Sequence, residues 1–249
     1  MLKAERCHYI MNKLNEEQRV NTVGLALDLG ISEDSIRRDL QKLYEKGLLE
    51  KVYGGAIPVS EKNKSVFDIQ ISNEKNKIEI GNKAVSLLQD GQVIIMSGGT
   101  TNLVLSKLIP PLLKITIYTY SLPIAMQLSK YPNVDLIFIG GKMQKNAMVT
   151  IGIDVLQVLS KIKADICFMG VSSIDSIQGL TEMGYEVSIV KKAMIESSEK
   201  VIAMFTSDKL NNRKPYVVCE LNTLDTIITD LNPNDSKLDE FRNSGVIIL

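Results

Sequence analysis

Apolar segments that alternate with helical patterns are the feature that most constrains the fold of this 249-residue chain. Strand-like apolar runs occur at residues 92–96, 115–118, 134–139, 166–169, 201–205 and 226–229. Stretches with helical periodicity separate them, such as residues 103–108 and 183–198. Strands that are apolar throughout are typical of a sheet covered on both faces, and strands joined through helices run parallel. We therefore predict an α/β domain with a mostly parallel sheet.

The first 57 residues follow a different pattern, that of short amphipathic helices. Apolar residues at helical spacing predict a first helix at residues 2–14. A second helix is expected to begin at a cap formed by Asn21 or Thr22. It is expected to end at Gly30, because glycine tolerates the left-handed conformation of a tight turn. This pattern predicts two helices joined by a turn.

A third helix, capped by Ser32 and ended by Gly47, has one aliphatic and one polar face. Ile36, Leu40 and Leu43 point one way, and arginines and small polar groups occupy the other side, which is typical of a helix that reads the major groove. Two short strand-like pieces on either side of a polar reversal, within residues 45–57, then predict a β wing. The predicted contacts with double-stranded operator DNA are Thr22, Ser32, Asp34, Ser35, Arg37, Arg38, Gln41, Lys42, Lys51 and Tyr53.

An isolated pair of exposed arginines is more often a solvated surface, so the assignment rests on the order helix, turn, helix, wing. The stretch Leu29-Gly30-Ile31-Ser32-Glu33-Asp34-Ser35-Ile36-Arg37-Arg38-Asp39-Leu40 and the later Tyr53-Gly54-Gly55-Ala56 resemble the DNA-binding domain of the DeoR family of bacterial regulators. The family's threonine, arginine and histidine are replaced here by Ser35, Lys51 and Tyr53. The resemblance implies a winged helix-turn-helix and an altered choice of operator.

Charge and composition limit the other functions that this chain could have. Residues 1–57 contain nine Lys and Arg and nine Asp and Glu, so attraction to DNA requires that charge be sorted onto one face. The three cysteines are scattered and His8 is the only histidine, so we expect neither a metal site nor a Cys/His catalytic pair, and no cofactor. No apolar run approaches the roughly 20 residues of a membrane span, and the N-terminus is charged. We expect a cytoplasmic protein without a membrane partner.

Polar loops follow the predicted parallel strands, where ligands of such sheets bind. The first, residues 97–101, opens a helix whose free amides could hold a phosphate, although this short motif is also found as a purely structural turn. Lysines nearby would suit a small polyhydroxylated phosphate. The predicted effector contacts are Ser97, Gly98, Gly99, Thr100, Thr101, Tyr120, Ser121, Gly140, Gly141, Lys142, Asp175, Gly179, Thr181, Lys191 and Lys209.

Residues 75–249 resemble the effector domain of the same family, which is similar to ribose-5-phosphate isomerase and to related sugar-phosphate and coenzyme A transferring enzymes. The resemblance implies a phosphorylated sugar as effector. Three positions depart from the family pattern: Ser97 stands where an aspartate is usual, Tyr120 where an asparagine is usual, and Thr206 where an aspartate is usual. We expect these departures to alter three polar contacts with the effector.

Together these features predict a winged helix-turn-helix at residues 1–57, a linker at 58–76, and a sensor and oligomerisation domain at 77–249. The predicted function is repression of a carbohydrate-metabolism operon by a homo-oligomer, a dimer or tetramer, that a phosphorylated sugar releases from DNA. One alternative is a sugar-phosphate isomerase or transferase, for which Asp175 is the one acidic residue placed in the loops. Another is a DNA-binding protein whose larger domain only oligomerises.

Overall fold

A computed structural model describes residues 3–17, 19–45, 48–58, 71 and 73–249. The chain divides into two compact units, Met1–Asp68 and Ile69–Leu249. Among the residues that are described, no helix has both the length and the apolar character needed to cross a bilayer.

The N-terminal unit has three helices and a small antiparallel sheet within its described residues. Its elements are α1 (Lys3–Glu17), β1 (Val20–Asn21), α2 (Thr22–Leu29), α3 (Glu33–Glu45), β2 (Leu49–Val52) and β3 (Gly55–Pro58). The strands are ordered β1-β3-β2, and β2 and β3 form the predicted wing. A Cβ atom on Gly55 would lie 1.9 Å from the carbonyl oxygen of Val20, so the pairing of β1 with β3 requires glycine there.

The turn between α2 and α3 follows the predicted chemistry. The Asn21 side chain accepts a hydrogen bond from the Gly24 amide and caps α2. Gly30 ends this helix with φ 62°, in the left-handed region. Ser32 precedes α3, and its hydroxyl accepts from the Ser35 amide at 3.4 Å. The predicted helix end at Gly47 lies outside the described residues.

The aliphatic face of α3 packs in the core of this unit, as predicted. That core contains Ile10, Leu14, Val20, Leu25, Ile36, Leu40, Leu43, Leu49 and Ala56. Because the buried stripe of α3 is fixed against α1 and α2, its polar face is directed to solvent.

The C-terminal unit is an α/β domain. Its helices are α4 (Glu74–Val85), α5 (Thr100–Leu108), α6 (Leu122–Leu128), α7 (Ile153–Leu159), α8 (Tyr185–Glu196) and α9 (Asp239–Arg242). Its strands are β4 (Val93–Met96), β5 (Ile115–Thr119), β6 (Val134–Phe138), β7 (Lys142–Gln144), β8 (Val149–Ile151), β9 (Ala164–Gly170), β10 (Ser173–Asp175), β11 (Gly179–Glu182), β12 (Ser198–Met204), β13 (Tyr216–Cys219), β14 (Thr226–Ile228) and β15 (Ile247–Ile248). Short 3₁₀ turns lie at Ser207–Lys209, Leu221–Thr223 and Ser236–Leu238.

Seven strands form one sheet in the order β15-β14-β12-β9-β4-β5-β6, and every neighbouring pair is parallel. Alternate residues of β4 enter different cores: Ile94 and Met96 pack on one face of the sheet and Ile95 on the other. The predicted parallel sheet with both faces covered is therefore confirmed. Two small antiparallel sheets, β10-β11-β13 and β7-β8, were not predicted.

The strand order has a topological switch point at one edge of this sheet, the place where open α/β sheets form a crevice. From β4 the chain adds β5 and β6 on one side, and it later adds β9 on the other side of β4. The loop after β4 therefore leads toward β5, and the loop after β9 leads toward β12 on the opposite side. Ligands of open α/β sheets bind between two loops that diverge in this way. We call the ends of β4, β5, β6, β9 and β12, with the loops that follow them, the carboxyl edge.

The described elements overlap the predicted linker at both of its ends. Strand β3 includes Pro58, and α4 begins at Glu74 rather than at Lys77. The precise domain boundaries remain predictions.

Candidate nucleic-acid interface and carboxyl-edge site

The polar face of α3 presents most of the predicted DNA contacts to solvent. Ser32, Asp34, Arg37, Arg38, Lys42 and, on the wing, Lys51 are exposed, while Ser35 and Gln41 are half-buried. Tyr53 is fully exposed in the turn between β2 and β3. These side chains share one helix face and the wing beside it.

A shallow groove of about 380 Å³ runs between α3 and β2. Its lining consists of Arg37, Arg38, Gln41, Lys42, Glu45 and Lys51, so four cations face one carboxylate. Lys51 Nζ donates to Gln41 Oε1 at 2.7 Å, and Gln41 Nε2 donates to Glu45 Oε1 at 3.0 Å. This α3–β2 groove is therefore a local concentration of positive charge in a unit whose sequence carries no net charge.

The two arginines of α3 differ in their surroundings. Arg37 forms ion pairs with Glu33 at 3.1 Å and with Asp34 at 3.5 Å, one turn earlier on the same helix. Arg38 forms no ion pair with any residue that the structure describes. Its guanidinium therefore has no described carboxylate to leave before it contacts a ligand.

Thr22 does not belong to this surface. Only 6% of it is exposed, and its amide donates to the carbonyl oxygen of Gly54 at 2.8 Å. The residue joins α2 to the wing turn, and its buried side chain does not fit the predicted contact with DNA. Sequence spacing at the helix start does not reveal this burial.

Ser97 lies beneath the crevice at the carboxyl edge rather than in it. It has no exposed surface, and its Oγ accepts from the Gly170 amide at 2.7 Å and from Asn102 Nδ2 at 3.0 Å. This hydroxyl ties the end of β4 to the end of β9. The predicted effector contact at Ser97 is therefore corrected to a structural one.

The other two departures from the family pattern are also buried. Tyr120 is 1% exposed, and burial, with a smaller effect of the Glu182 charge, raises the pKa of its phenol. Thr206 is 4% exposed, and its hydroxyl donates to Asp208. Both side chains are buried, as is Ser97, and the expected change in three polar contacts with the effector stays a prediction.

Asp175 shapes a turn. Its Oδ1 accepts from the amides of Ile177 at 3.0 Å and Gln178 at 2.9 Å, and its Oδ2 accepts from Arg213 Nε at 3.1 Å. Burial alone would raise the pKa of Asp175, but these donors and the Arg213 charge hold it below its ordinary value. With 5% of the residue exposed, the predicted effector contact does not fit.

Several further predicted contacts are buried at the same edge. They are Thr101, Ser121, Gly179, Thr181 and Lys191. Thr181 is held by Ser173 and by the amide of Lys214, and a Cβ atom on Gly179 would lie 2.2 Å from the carbonyl oxygen of Cys219. Thr181 and Gly179 therefore have structural roles, and effector contact at the other buried positions stays a prediction.

The predicted contacts that remain accessible lie on three loops. Gly99, Gly140, Gly141 and Lys142 are exposed, and Gly98, Thr100 and Lys209 are half-buried. Gly99 precedes the first turn of α5, where free amides attract an anion. Lys142 pairs with Glu186 at 3.3 Å and Lys209 with Asp208 at 3.1 Å, so each cation is balanced by an adjacent carboxylate.

Two residues that were not predicted, Glu182 and Asn102, also shape this edge. Glu182 is the buried partner of Lys191, and Asn102 holds both Ser97 and the carbonyl oxygen of Phe168. Asn102 directly follows the loop at residues 97–101 and Glu182 directly follows Gly179-Leu180-Thr181, so their place next to these motifs is the sequence signal that could have found them.

Two family models match this chain. One, described as a DeoR-like helix-turn-helix domain, matches residues 6–62, and the other, described as a DeoR C terminal sensor domain, matches residues 72–231.

Curated relatives match along the whole chain. The HTH-type transcriptional repressor GlcR of Bacillus subtilis is 34% identical over 100% of this chain and 96% of its own length. The HTH-type transcriptional regulator GolR of Listeria innocua is 27% identical over 99% of this chain and 98% of its own length. Among solved structures, ribose 5-phosphate isomerase A of Methanocaldococcus jannaschii matches with a TM-score of 0.42 and 19% identity, over 56% of this chain and 55% of the isomerase.

Proposed function

Because this chain belongs to the DeoR family of transcriptional regulators, we propose that it represses a carbohydrate-metabolism operon and that a phosphorylated sugar modulates its binding to operator DNA. The relative GlcR is named a repressor, which supports repression rather than activation.

The α3–β2 groove is the observation that carries the proposal. Four cationic side chains line it on the exposed side of a helix whose other side is fixed in the core. Neutralising phosphates releases counterions from DNA and supplies most of the non-specific affinity, while arginine on such a helix can read guanine in the major groove. Sorting the charge onto this face overcomes the absence of net charge in the sequence.

For the effector we propose a small phosphorylated sugar at the carboxyl edge. The amides at the start of α5 and the half-buried hydroxyl of Thr100 suit a phosphate, and Lys142 and Lys209, which follow β6 and β12 at the same edge, supply ammonium donors for further groups of the ligand. The matched sensor domain supports a regulatory role for this unit.

A role without catalysis is part of the proposal. Asp175, the acidic residue that an isomerase would need as its base, is engaged by two amides and by Arg213. Its lowered pKa makes its carboxylate a weaker base, which is unfavourable for proton abstraction.

We also propose a cytoplasmic homo-oligomer. Two helix-turn-helix units on one operator would contact repeated half-sites about one helical turn apart. An effector that binds the released conformation more tightly would then lift repression by shifting the population.

Selection of DNA by the full chain tests this function. The protein is expected to enrich one duplex sequence from a random library at moderate salt, and a panel of pentose and hexose phosphates is expected to include one that releases it. Enrichment of no sequence would refute DNA recognition. Enrichment without release by any sugar phosphate would leave the larger unit an oligomerisation domain, and turnover of a sugar phosphate would make it an enzyme.

A further inference from the structure

A buried carboxylate on α3 forms an ion pair with a side chain of α1. Asp39 lies on α3 directly after the exposed Arg38, and only 2% of it is exposed. Its Oδ2 accepts a hydrogen bond from Arg6 Nε on α1 at 2.6 Å, across 33 residues of sequence. The Arg6 side chain is itself 19% exposed, so this ion pair is largely shielded from water.

The face of α1 that carries Arg6 also contacts α2. Lys13 forms an ion pair with Asp28 near the end of α2, and the Tyr9 hydroxyl lies 3.4 Å from the same carboxylate. Arg6, Tyr9 and Lys13 are spaced three and four residues apart, so they share one face of the helix. Helix α1 thus makes polar contacts with both helices of the helix-turn-helix.

Hydrophobic packing and this ion pair constrain α3 in different ways. The aliphatic stripe of α3 decides which face of the helix is buried, but apolar contact has no preferred direction and so sets the rotation of the helix only coarsely. A hydrogen bond to a charged group is directional and short. The Arg6–Asp39 contact is therefore suited to fix how far α3 is rotated about its own axis.

Rotation matters because DNA recognition depends on small displacements. For a helix of radius about 5 to 6 Å, a rotation of about 20° moves surface groups by about 2 Å. That displacement exceeds the tolerance of a hydrogen bond to a base edge. Arg38 adjoins Asp39 in the chain, so the same backbone segment carries the tether and a DNA-facing guanidinium.

We propose that Asp39 is a positioning residue: the Arg6–Asp39 ion pair sets the rotation of the recognition helix and so determines the sequence specificity of DNA binding. The inference rests on the proposed function and adds to it that specificity depends on a buried contact remote from the DNA surface.

The test compares two duplexes for each full-length variant. One duplex is the sequence that the wild type enriches from a random library, and the other is a scrambled sequence of the same composition. Fluorescence anisotropy gives the ratio of the two Kd values for Asp39→Asn, Arg6→Gln, the double variant, and the control Glu79→Gln, which removes an exposed carboxylate in the other unit. Thermal melting shows whether each variant is folded at the temperature of the binding measurements.

Both single variants are expected to reduce the specificity ratio about tenfold, through weaker binding of the selected duplex, and the double variant no further than the worse single one. The control is expected to keep the wild-type ratio. If Asp39→Asn does not fold, Arg6→Gln, whose changed side chain is partly exposed, gives the answer.

A variant that melts earlier but keeps the wild-type ratio would show that the ion pair only stabilises the fold, and additive losses in the double variant would show that the two residues act separately. Either result overturns the inference while DNA binding stands. A wild type that enriches no sequence overturns the proposed function itself, and the inference with it.

Discussion

Lys191 and Glu182 form an ion pair inside the C-terminal unit, with 7% and 9% of their side chains exposed. Lys191 Nζ also donates to the carbonyl oxygen of Gly170 at 2.8 Å, and Glu182 Oε1 accepts from the Ser172 hydroxyl at 2.7 Å. The pair therefore holds the loop after β9, which forms one side of the crevice between β4 and β9. Lys191, which was predicted to contact the effector, supports that loop.

Replacing one partner of this pair should destabilise the C-terminal unit strongly. Lys191→Met leaves Glu182 charged and buried, and the free energy of unfolding is expected to fall by about 3 to 5 kcal/mol. Urea denaturation measures this. The matched control is Lys142→Met, which removes an ion pair whose side chains are 72% and 50% exposed, with an expected change below about 1 kcal/mol. Equal losses in the two variants would contradict the role given to burial.

The same pair predicts how stability depends on acid. Burial alone would raise the pKa of Glu182, but the Lys191 charge and hydrogen bonds from Lys191, Ser172 and Met183 hold it below the ordinary value of 4.5. Because the folded pKa is the lower one, the unfolded chain takes up the proton first as the pH falls below about 4.5. The contribution of Glu182 to stability is complete above that pH and is lost as the pH falls through the folded pKa.

In Glu182→Gln the free energy of unfolding should therefore fall less steeply as the pH is lowered. The wild type is expected to lose up to about 1.4 kcal/mol more per pH unit than the variant in this window. Urea titrations at a series of pH values between neutral and acidic conditions measure the two slopes. Parallel slopes would show that Glu182 titrates alike in the folded and unfolded states.

Most of the fold was predictable because it depends on local pattern. The apolar runs gave the parallel strands, and the left-handed conformation at Gly30 follows from its place between two helices. The hairpin of β10 and β11 was not predicted because its strands have only three and four residues, and each holds a single apolar core residue, Ile174 or Leu180, which is too few to show a period. These strands are fixed by hydrogen bonds between buried polar groups, which depend on partners distant in sequence.

The carboxyl-edge site was less predictable for the same reason. A glycine-rich or hydroxyl-rich loop indicates that another group can come close to its backbone. It does not indicate whether that group belongs to a ligand or to the protein itself. At Ser97 the partners are the Gly170 amide and Asn102, so the loop binds the protein's own chain. The surface of α3 was more predictable, because helical periodicity separates its exposed from its buried residues.

The two arginines of α3 should contribute unequally to DNA binding. Arg38 makes no ion pair within the described part of the chain, whereas Arg37 must leave Glu33 and Asp34 to reach a base. Arg38→Ala is expected to weaken binding to the selected duplex by about 1 to 3 kcal/mol, and Arg37→Ala by less. Anisotropy titrations at several salt concentrations give both the affinity and the salt slope. A larger loss for Arg37→Ala would mean that its carboxylate partners position it for contact.

The neighbouring threonines at the start of α5 should differ in their effect on the effector. Thr100 is half-buried, while Thr101 is 9% exposed and lies on the inner side of the helix. Valine has nearly the same shape as threonine but lacks the hydroxyl, so each substitution removes one hydrogen-bonding group. For the sugar phosphate that raises the melting temperature of the wild type most, Thr100→Val is expected to weaken binding by about 1.5 to 3 kcal/mol, because a hydrogen bond to a charged phosphate is lost. Thr101→Val should leave the affinity nearly unchanged. Isothermal titration with that sugar phosphate measures both, and a greater loss for Thr101→Val would place the phosphate on the buried side of the α5 start, against the accessible surface assigned to it here.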